Sequence, residues 1–246
     1  MSFLSNERLI KYMTVPSVPR LKTGIPGLDP LINGGVLHKS VNLITGETGT
    51  GKTIFSCQFL WHGLQKGETG VYITLEEDPE DIKEDAKQFG WDFSKYVDKD
   101  LCRIIYHDPA QVNNLGSVII DEIKSLRAKR LVIDPTSVMG LTLKDPAVIR
   151  KMLLNVINVI KRTDCTAVLV SEVTEASKSL SRFGVEEFVA DGVFVLNYLG
   201  IGETSSRSLM IRKMRRTKHG TSIYPIEIGP NGIEVKVEES MSTVMR

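Results

Sequence analysis

The chain has 246 residues, of which 41% are hydrophobic and 25% are charged, and its formal net charge at pH 7 is +1. These values suit a globular protein of one large or two small domains, and they give no general signal for nucleic acid or an anionic membrane. No apolar run approaches a membrane span, and the first residues lack the pattern of a signal peptide, which together predict a cytoplasmic protein without a membrane partner. Cys57, Cys102 and Cys165 form no C-x-x-C pair and are predicted to be reduced core thiols.

Apolar strands and amphipathic helices alternate from residue 40 onward, after a predicted N-terminal arm over residues 1–20. The predicted strands are 41–45, 71–75, 102–106, 130–134, 166–171 and 193–198. The predicted helices are 52–65, 79–89, 114–128 and 146–163. This alternation predicts an α/β fold with a mostly parallel central sheet flanked by helices on both faces. Residues 21–246 are predicted to form a single domain.

The end of the chain has a different pattern. Residues 207–216 and 222–237 read as strands, and the segment Gly229-Pro230-Asn231-Gly232 is typical of a hairpin turn. The pattern predicts an antiparallel C-terminal extension of the sheet. Simple alternation puts one set of side chains on one face of the first of these strands, namely Leu209, Ile211, Lys213 and Arg215. It puts the other set on the opposite face, namely Arg212, Met214 and Arg216.

Residues 46–53 form a complete phosphate-binding motif, G-x-x-x-x-G-K-T, between the first predicted strand and the first predicted helix. Its glycines let backbone N–H groups turn toward a phosphate, the lysine reaches the β- and γ-phosphates, and the threonine hydroxyl ligates Mg²⁺. Lys52 is therefore also a predicted catalytic residue, and Thr53 a predicted metal ligand. The predicted nucleotide-binding residues are Gly46, Glu47, Thr48, Gly49, Thr50, Gly51, Lys52, Thr53 and Ile54.

Acidic residues follow two other predicted strands. Asp134 ends an apolar strand, and in this position an aspartate holds Mg²⁺, usually through water. In many ATPases of this type a glutamate directly follows this aspartate and activates the water. Here Pro135 follows instead, so that carboxylate must come from elsewhere in the chain. Glu76 and Glu77 end the second predicted strand and are predicted to orient and deprotonate that water. The alternatives are a turn cap for Asp134 and a solvated helix start for the two glutamates.

A basic segment, residues 207–219, carries six lysines or arginines and no acid. From the residues alone, three uses remain open: an arginine finger that reaches a γ-phosphate across a subunit interface, a nucleic-acid contact, and the charged protection of an edge strand. The chain lacks the N-K-x-D segment that selects guanine and the L-S-G-G-Q signature of transporter ATPases. A GTPase and a transporter are therefore not favoured.

With these residues assembled, the chain resembles the RecA superfamily and, within it, the KaiC-like ATPases. The resemblance covers about residues 20–230. It rests on a turn-rich stretch before the first strand and on the order of the motifs, which are residues 23–29 with Gly34-Gly35, the phosphate loop, Glu76-Glu77, the strand that ends in Asp134, and Val170-Ser171-Glu172. Residues 213–219 look like the K-x-R-x-x-x-H stretch that KaiC domains present to ATP in the neighbouring subunit.

The resemblance implies a RecA-type P-loop NTPase fold and a homo-oligomeric ring, expected to be a hexamer, with ATP or ADP and Mg²⁺ at each interface. It implies nucleotide contacts in trans from Lys213, Arg215 and His219, a γ-phosphate sensor at Ser171, and paired catalytic roles for the two adjacent glutamates. KaiC itself has two such domains in tandem, whereas one is found here, so a clock role does not follow.

The predicted function is therefore a Mg²⁺-dependent ATPase that acts as an oligomeric, nucleotide-driven switch. One alternative is a recombinase-like DNA-binding ATPase, in which loops 135–147 and 173–188 face a channel. The second loop carries Lys178, Arg182 and Phe183 but also three glutamates, so nucleic acid is left open and not favoured. A further alternative is a kinase or autokinase that uses the same phosphate loop. The sequence does not identify protein partners.

Overall fold

The computed structural model describes residues 18–142, 145–174, 179–201 and 204–238. The strands are β1 (Arg20–Leu21), β2 (Val36–Leu37), β3 (Val41–Gly46), β4 (Gly70–Thr74), β5 (Cys102–Tyr106), β6 (Arg130–Asp134), β7 (Thr166–Glu172), β8 (Gly192–Ile201), β9 (Thr204–Met214), β10 (Ile223–Gly229) and β11 (Gly232–Val235). The α-helices are α1 (Leu28–Leu31), α2 (Lys52–Gln65), α3 (Pro79–Lys87), α4 (Ser94–Val97), α5 (Leu115–Leu126), α6 (Met139–Thr142), α7 (Pro146–Lys161) and α8 (Glu186–Val189). Two short 3₁₀ helices, Pro109–Asn114 and Thr136–Val138, complete the described elements.

Nine of the described strands form one sheet, in the order β11-β10-β9-β8-β3-β7-β6-β4-β5. The strands from β8 to β5 pair in parallel, whereas β9, β10 and β11 pair in antiparallel fashion. The predicted α/β class, the mostly parallel sheet and the antiparallel C-terminal extension are therefore confirmed. The predicted hairpin turn also forms, since Gly229 pairs with Gly232 across it.

Helices cover both faces of this sheet because successive side chains of a strand point to opposite sides. In β4, Val71 and Ile73 belong to one buried apolar cluster and Tyr72 belongs to the other. Helices α2 and α3 pack into the cluster that contains Tyr72, and α5 and α7 pack into the opposite one. The three cysteines are buried and free, as predicted. Tyr72 thus lies on the same side of the sheet as the helix that follows the phosphate loop.

Helix α3 begins where the sequence predicts it, directly after the two adjacent glutamates. Asp78 caps it by accepting a hydrogen bond from the backbone N–H of Glu80 at 2.8 Å, and Pro79 occupies the first turn. The helix ends at Lys87, two residues before the predicted end. The capped start of α3 therefore sets the path of the chain just after β4.

Strand β9 departs from the predicted alternation. A register shift between Val193 and Phe194 leaves Arg212 as an extra residue on β9, which is a β-bulge. Beyond the bulge the faces are exchanged, so Met214 joins the buried cluster beside α2. The prediction that Lys213 shares a face with the apolar residues before it was wrong, because one inserted residue reverses a period of two.

The segment before β3 forms a second, two-stranded sheet, β1-β2, that the sequence did not reveal. Arg20 in β1 donates hydrogen bonds to the carbonyl oxygens of Ile32 and Gly35 at 3.0 and 2.9 Å, and to Thr217 Oγ1 at 3.1 Å. Residues 1–17 of the predicted arm lie outside the described residues. In the described part of the chain, no helix is long and apolar enough to cross a membrane.

Candidate functional site

A cleft of about 270 Å³ opens at the C-terminal edge of the parallel strands. Its walls come from the loop after β3 and from the ends of β4, β6 and β7. The lining residues are Thr48, Gly49, Gly51, Lys52, Thr53, Ile54, Glu76, Glu77, Asp85, Asp134, Pro135 and Glu172. Because the carboxyl ends of parallel strands meet at one edge of a sheet, residues from separate motifs converge here. The cleft thus joins the phosphate loop with each predicted carboxylate.

The phosphate loop has the backbone that its glycines permit. Gly49 and Gly51 have φ angles of +76° and +102°, which other residues rarely adopt. Space is limited as well, since a Cβ at Gly49 would lie 2.8 Å from the Tyr198 hydroxyl, and one at Gly51 would lie 3.0 Å from a methyl of Ile228. Among the described side chains, none caps the start of α2. Its first N–H groups therefore remain as donors for an anion.

Lys52 lies across its own loop. Its Nζ donates a hydrogen bond to the backbone oxygen of Glu47 at 2.9 Å, and only 8% of the residue is exposed. Burial lowers the pKa of Lys52, while the carboxylates of Glu172 and Asp134 act in the opposite direction. The ammonium group is therefore held in the loop as a partly desolvated charge, in a setting where an anion would interact with it strongly.

Thr53 and Asp134, the predicted metal ligands, are in direct contact. Thr53 Oγ1 donates to Asp134 Oδ2 at 3.1 Å, and the hydroxyl of Tyr72 donates to the same oxygen at 2.5 Å. Burial raises the pKa of Asp134, although both hydroxyls and the Lys52 ammonium oppose that shift. Within the described residues, no group of three or more His, Cys, Asp or Glu side chains could hold a metal ion. One hydroxyl and one carboxylate are a small set of protein ligands. Such a set suits Mg²⁺, which is usually held by one or two carboxylates together with substrate phosphates.

The two predicted catalytic glutamates stand on a tight turn at the end of β4. Thr74 Oγ1 accepts hydrogen bonds from the backbone N–H groups of Glu76 and Glu77 at 3.3 and 3.0 Å, and donates to the Glu77 carbonyl at 2.8 Å. Both side chains line the cleft. Desolvation is the largest cause that raises the pKa of Glu77, followed by the charges of Asp134, Asp85 and Glu76. Glu77 is thus shifted toward the range in which a carboxylate works well as a base.

Ser171, the predicted sensor, is fully buried at the end of β7. Its Oγ donates to Glu186 Oε1 at 3.1 Å and accepts from the backbone N–H of Arg182 at 3.2 Å. The next residue, Glu172, lines the cleft and pairs with Gly46 in the sheet register. Glu172 had no predicted role, although its position at the end of a strand could have indicated that it lies at the cleft. The sensor role of Ser171 stays a prediction.

Lys213 lies at the C-terminal end of α8, away from the cleft of its own chain. Its Nζ donates to the carbonyl oxygens of Glu187 and Ala190 at 2.9 and 2.8 Å. Burial is the largest cause that lowers the pKa of Lys213, and the nearby charge of Arg215 acts in the same direction. In this position Lys213 satisfies the last carbonyl groups of the short helix.

Arg215 and His219 also lie apart from the cleft of their own chain. Arg215 Nη2 donates to the Phe188 carbonyl at 3.2 Å, and its Nη1 is 3.5 Å from Asp191 Oδ1. The Nδ1 of His219 lies 2.8 Å from the carbonyl oxygen of Gly220. A role of these residues toward nucleotide therefore requires a second subunit, and it stays a prediction.

The tip of the phosphate loop is held by Tyr198, which no predicted motif includes, and by Arg207, the first residue of the basic segment. The carbonyl oxygen of Gly49 accepts from the Tyr198 hydroxyl at 2.7 Å and from Arg207 Nε at 3.1 Å. The guanidinium of Arg207 lies 5.3 Å from the centre of the Tyr198 ring. No local pattern could have found these contacts, because β8 and β9 are about 150 residues from the loop along the chain.

An apolar cavity of about 300 Å³ adjoins the cleft. It shares three lining residues with the cleft, namely Thr53, Ile54 and Asp85. The others are Cys57, Ala86, Gln88, Phe89 and Trp91. The rings of Phe89 and Trp91 are stacked, with centroids 4.9 Å apart. The cavity therefore offers flat apolar surface next to the first turn of α2.

The family model for the KaiC ATPase matches residues 21–240 of this chain. The chain belongs to the KaiC ATPase family. It is a KaiC-like member of the RecA superfamily, so the predicted family and the RecA-type P-loop fold are confirmed. The match to this family supports the assignment of the protein to the nucleotide-binding P-loop ATPases.

Similar proteins are known from several organisms. The crystal structure of a KaiC-like protein, PH0186 from Pyrococcus horikoshii, is 42% identical, has a TM-score of 0.82, and is matched over 89% of this chain and 99% of that one. The UPF0273 protein PF1931 of Pyrococcus furiosus is 37% identical over 89% of this chain and 94% of its own length. The circadian clock oscillator protein KaiC of Synechococcus elongatus is 35% identical over 89% of this chain but only 44% of its own length. The chain thus spans less than half of that KaiC protein.

Proposed function

We propose that this protein binds ATP with Mg²⁺ in the cleft, hydrolyses it slowly, and acts as a homo-oligomeric switch whose subunit contacts depend on the bound nucleotide. The observation that carries the proposal is the convergence of Lys52, Thr53, Asp134, Glu76 and Glu77 in one cleft. A phosphate-binding lysine, a pair of oxygen ligands and candidate bases are the parts that phosphoryl transfer to water requires.

The triphosphate would lie along the loop. The N–H groups at the start of α2 and the positive end of the helix dipole face an anion there. Lys52 would exchange its bond to the Glu47 carbonyl for contacts with the β- and γ-phosphates. A carbonyl oxygen is a weaker partner for an ammonium than a phosphate oxygen, so this exchange favours nucleotide binding.

Thr53 and Asp134 are the residues that would hold Mg²⁺. Their ligand oxygens, Thr53 Oγ1 and Asp134 Oδ2, are 3.1 Å apart, and a hydroxyl beside a carboxylate fits that ion. Bound Mg²⁺ would neutralise charge on the β- and γ-phosphate oxygens. Asp134 is 8% exposed, so its carboxylate acts from a protected position at the floor of the cleft.

The adenine ring would lie in the apolar cavity beside α2. That cavity meets the cleft at Thr53 and Ile54, next to the loop. The stacked rings of Phe89 and Trp91 give the cavity an apolar surface. The side-chain amide of Gln88 has an NH₂ group that can donate hydrogen bonds to the edge of the adenine ring and an oxygen that can accept them from it. Ligand pockets commonly combine a mostly apolar lining with a few polar groups of this kind.

Steady-state ATP hydrolysis tests the assignment of the base. We expect Glu76→Gln to bind ATP normally but to hydrolyse it about 10²–10⁴-fold more slowly, because an amide cannot accept a proton from water. Glu77→Gln serves as the comparison at the adjacent position. Glu80→Gln is the matched control, since Glu80 is exposed and pairs with Lys83 outside the cleft. A normal rate in Glu76→Gln moves the role to Glu77, and normal rates in both glutamine variants contradict the proposed hydrolytic site.

The same assay with added single-stranded DNA separates the switch from a recombinase-like ATPase. Phe183, an aromatic residue of the predicted DNA-contacting loop, packs against the buried cluster beside α5 and α7 and leaves no room for a Cβ at Gly140. A base-stacking aromatic would have to be free of such packing. We therefore expect the hydrolysis rate to be unaffected by DNA, and strong stimulation would favour the recombinase-like function. Lys178 of that loop lies outside the described residues.

Subunit mixing tests the contribution of Arg215 across an interface. We expect Arg215→Ala and Glu76→Gln to be inactive alone. In an equal mixture, about a quarter of the interfaces of a head-to-tail ring would join an intact cleft to an intact arginine. The hydrolysis rate of the mixture should therefore rise toward about a quarter of the rate of the unmodified protein.

Lys218→Ala, a change at an exposed cation of the same basic segment, is the control and should stay active alone. Formation of mixed rings is checked by native mass spectrometry of subunits with different mass tags. If mixed rings form but remain inactive, Arg215 does not act in trans.

A further inference from the structure

One tyrosine hydroxyl is buried directly beneath the nucleotide cleft. Tyr72 lies in the middle of β4, is 0% exposed, and pairs with Val132 in the parallel register between β4 and β6. Its hydroxyl reaches toward the end of β6 and donates to Asp134 Oδ2 at 2.5 Å. A residue from the neighbouring strand therefore binds the carboxylate that the proposed function assigns to Mg²⁺.

The two hydroxyl groups around Asp134 bind one and the same oxygen. Tyr72 and Thr53 both donate to Oδ2, at 2.5 and 3.1 Å. A carboxylate oxygen has about two acceptor positions, so two donors occupy Oδ2. Of the described residues, none donates a hydrogen bond to Oδ1. The plane of the carboxylate is thus fixed from below, and Oδ1 keeps its acceptor capacity for a ligand of the cleft.

We propose that Tyr72 is a positioning residue for the divalent cation that accompanies the nucleotide, acting through its hydrogen bond to Asp134. This inference rests on the proposed function, since it needs a cation at that carboxylate. The hydroxyl is not required to fill space, because a phenylalanine ring would pack in the same place between β4 and α2. Hydrogen-bond partners that orient a metal-binding carboxylate typically change metal affinity by about 10–100-fold.

The test is the Mg²⁺ dependence of nucleotide binding in Tyr72→Phe. Binding of a fluorescent ADP analogue is titrated with Mg²⁺, and its affinity is measured separately in EDTA. We expect the half-saturating Mg²⁺ concentration to rise about 10-fold, because the carboxylate loses one of the two groups that orient it. The affinity in EDTA should not change, since the phosphate loop is untouched. Direct binding of Mn²⁺, followed by its electron paramagnetic resonance signal, gives a readout that does not depend on turnover.

Tyr96→Phe is the matched control. It also removes one tyrosine hydroxyl, but that group accepts from Gln65 Nε2 at 2.9 Å, at the opposite end of α2 from the cleft. We expect this variant to have the Mg²⁺ dependence of the unmodified protein. Thermal unfolding of both variants reports any general loss of stability, which by itself would leave the half-saturating Mg²⁺ concentration unchanged.

The outcomes separate this inference from the proposed function. Mg²⁺-dependent binding in the unmodified protein together with unchanged dependence in Tyr72→Phe would overturn the role of Tyr72 alone. Binding without any Mg²⁺ dependence in the unmodified protein would overturn the proposed cation site and this inference together. Tyr72→Leu, a second hydroxyl-free variant with a different shape, should show the same shift as Tyr72→Phe. A shift in only one of the two would indicate altered packing and would contradict the inference.

Discussion

Replacing Lys52 with alanine should abolish ATP binding at the concentrations that saturate the unmodified protein. The ammonium of Lys52 is held in the phosphate loop, 8% exposed and 2.9 Å from the Glu47 carbonyl oxygen. Hydrogen bonds to charged groups contribute about 1.5–3 kcal/mol each, and the lysine of this motif meets two phosphates. Because each 1.4 kcal/mol corresponds to a factor of ten, the affinity should fall by about 100-fold or more.

The loss should concern binding and leave folding intact. Burial lowers the pKa of Lys52, so the charged side chain is less stable in the loop than in water, and its removal does not withdraw a strong stabilising interaction from the free protein. Isothermal titration calorimetry measures the affinity, and thermal unfolding measures the stability. Lys66→Ala is the control, since Lys66 is exposed at the other end of the same helix. Unchanged ATP affinity in Lys52→Ala would contradict the assignment of the phosphate loop.

The fold and the phosphate loop could be predicted because their signals are local. A strand of alternating or continuous apolar residues, a glycine-rich turn and an amphipathic helix each extend over fewer than about 20 residues. The predicted helix over 52–65 forms over the same residues, and the strand predicted over 41–45 is one residue longer. Asp134 and Glu76 could be brought to one site by a general rule, because the ends of parallel strands share an edge.

The contacts that support the site could not be predicted because they join distant parts of the chain. Gln58 in α2 shows this: its amide donates to the carbonyl oxygens of Gly24 and Ile233 at 3.1 and 3.0 Å and accepts from the Ile233 N–H at 2.7 Å. These bonds attach the β10–β11 hairpin to the helix of the phosphate loop, over a separation of 175 residues. The bulge at Arg212 was equally hidden, since one extra residue leaves no mark in an alternating pattern.

The hydroxyl of Tyr72 was hidden for a different reason. Its position in an apolar strand predicts a buried ring, and burial of a tyrosine predicts that its hydroxyl has a partner. Which partner it has depends on the order of the strands in the sheet. Only the placement of β4 beside β6 puts Asp134 within its reach. The sequence therefore indicates which residues line the cleft better than it indicates the residues that hold them in position.

Replacing Arg130 with alanine should lower the free energy of unfolding more than any surface change. Arg130 is 1% exposed at the start of β6, and its Nε lies 2.6 Å from Glu68 Oε2. Its Nη1 donates to the Phe59 carbonyl oxygen at 2.7 Å, and its guanidinium lies 4.5 Å from the centre of the Phe59 ring. Gly63 has no room for a Cβ beside it. The Phe59 carbonyl would lose its donor and a cavity would remain, so the expected loss is about 2–5 kcal/mol. Glu68 adds little to this loss, because its side chain is 30% exposed and water can replace its partner.

Arg103→Ala is the matched control for this prediction. Arg103 also pairs with acids, Asp100 at 3.0 Å and Glu122 at 2.8 Å, but its side chain is 30% exposed. Water can replace those contacts, so the expected loss is at most about 1 kcal/mol. Urea unfolding followed by circular dichroism measures both variants. Similar losses for the two would mean that the network around Arg130 stabilises the fold no more than an exposed ion pair does.

The Arg130 variant also separates stability from nucleotide binding. Arg130 and Asp134 occupy opposite ends of β6, and four residue steps along a strand correspond to about 13 Å. The network around Arg130 therefore joins β6 to α2 at the edge of the sheet that lies away from the cleft. At temperatures where the variant remains folded, its affinity for ATP should equal that of the unmodified protein, whereas Lys52→Ala should show the opposite combination. Weakened ATP binding in the folded Arg130→Ala protein would mean that the two ends of β6 are coupled through α2, which the described contacts of the cleft do not require.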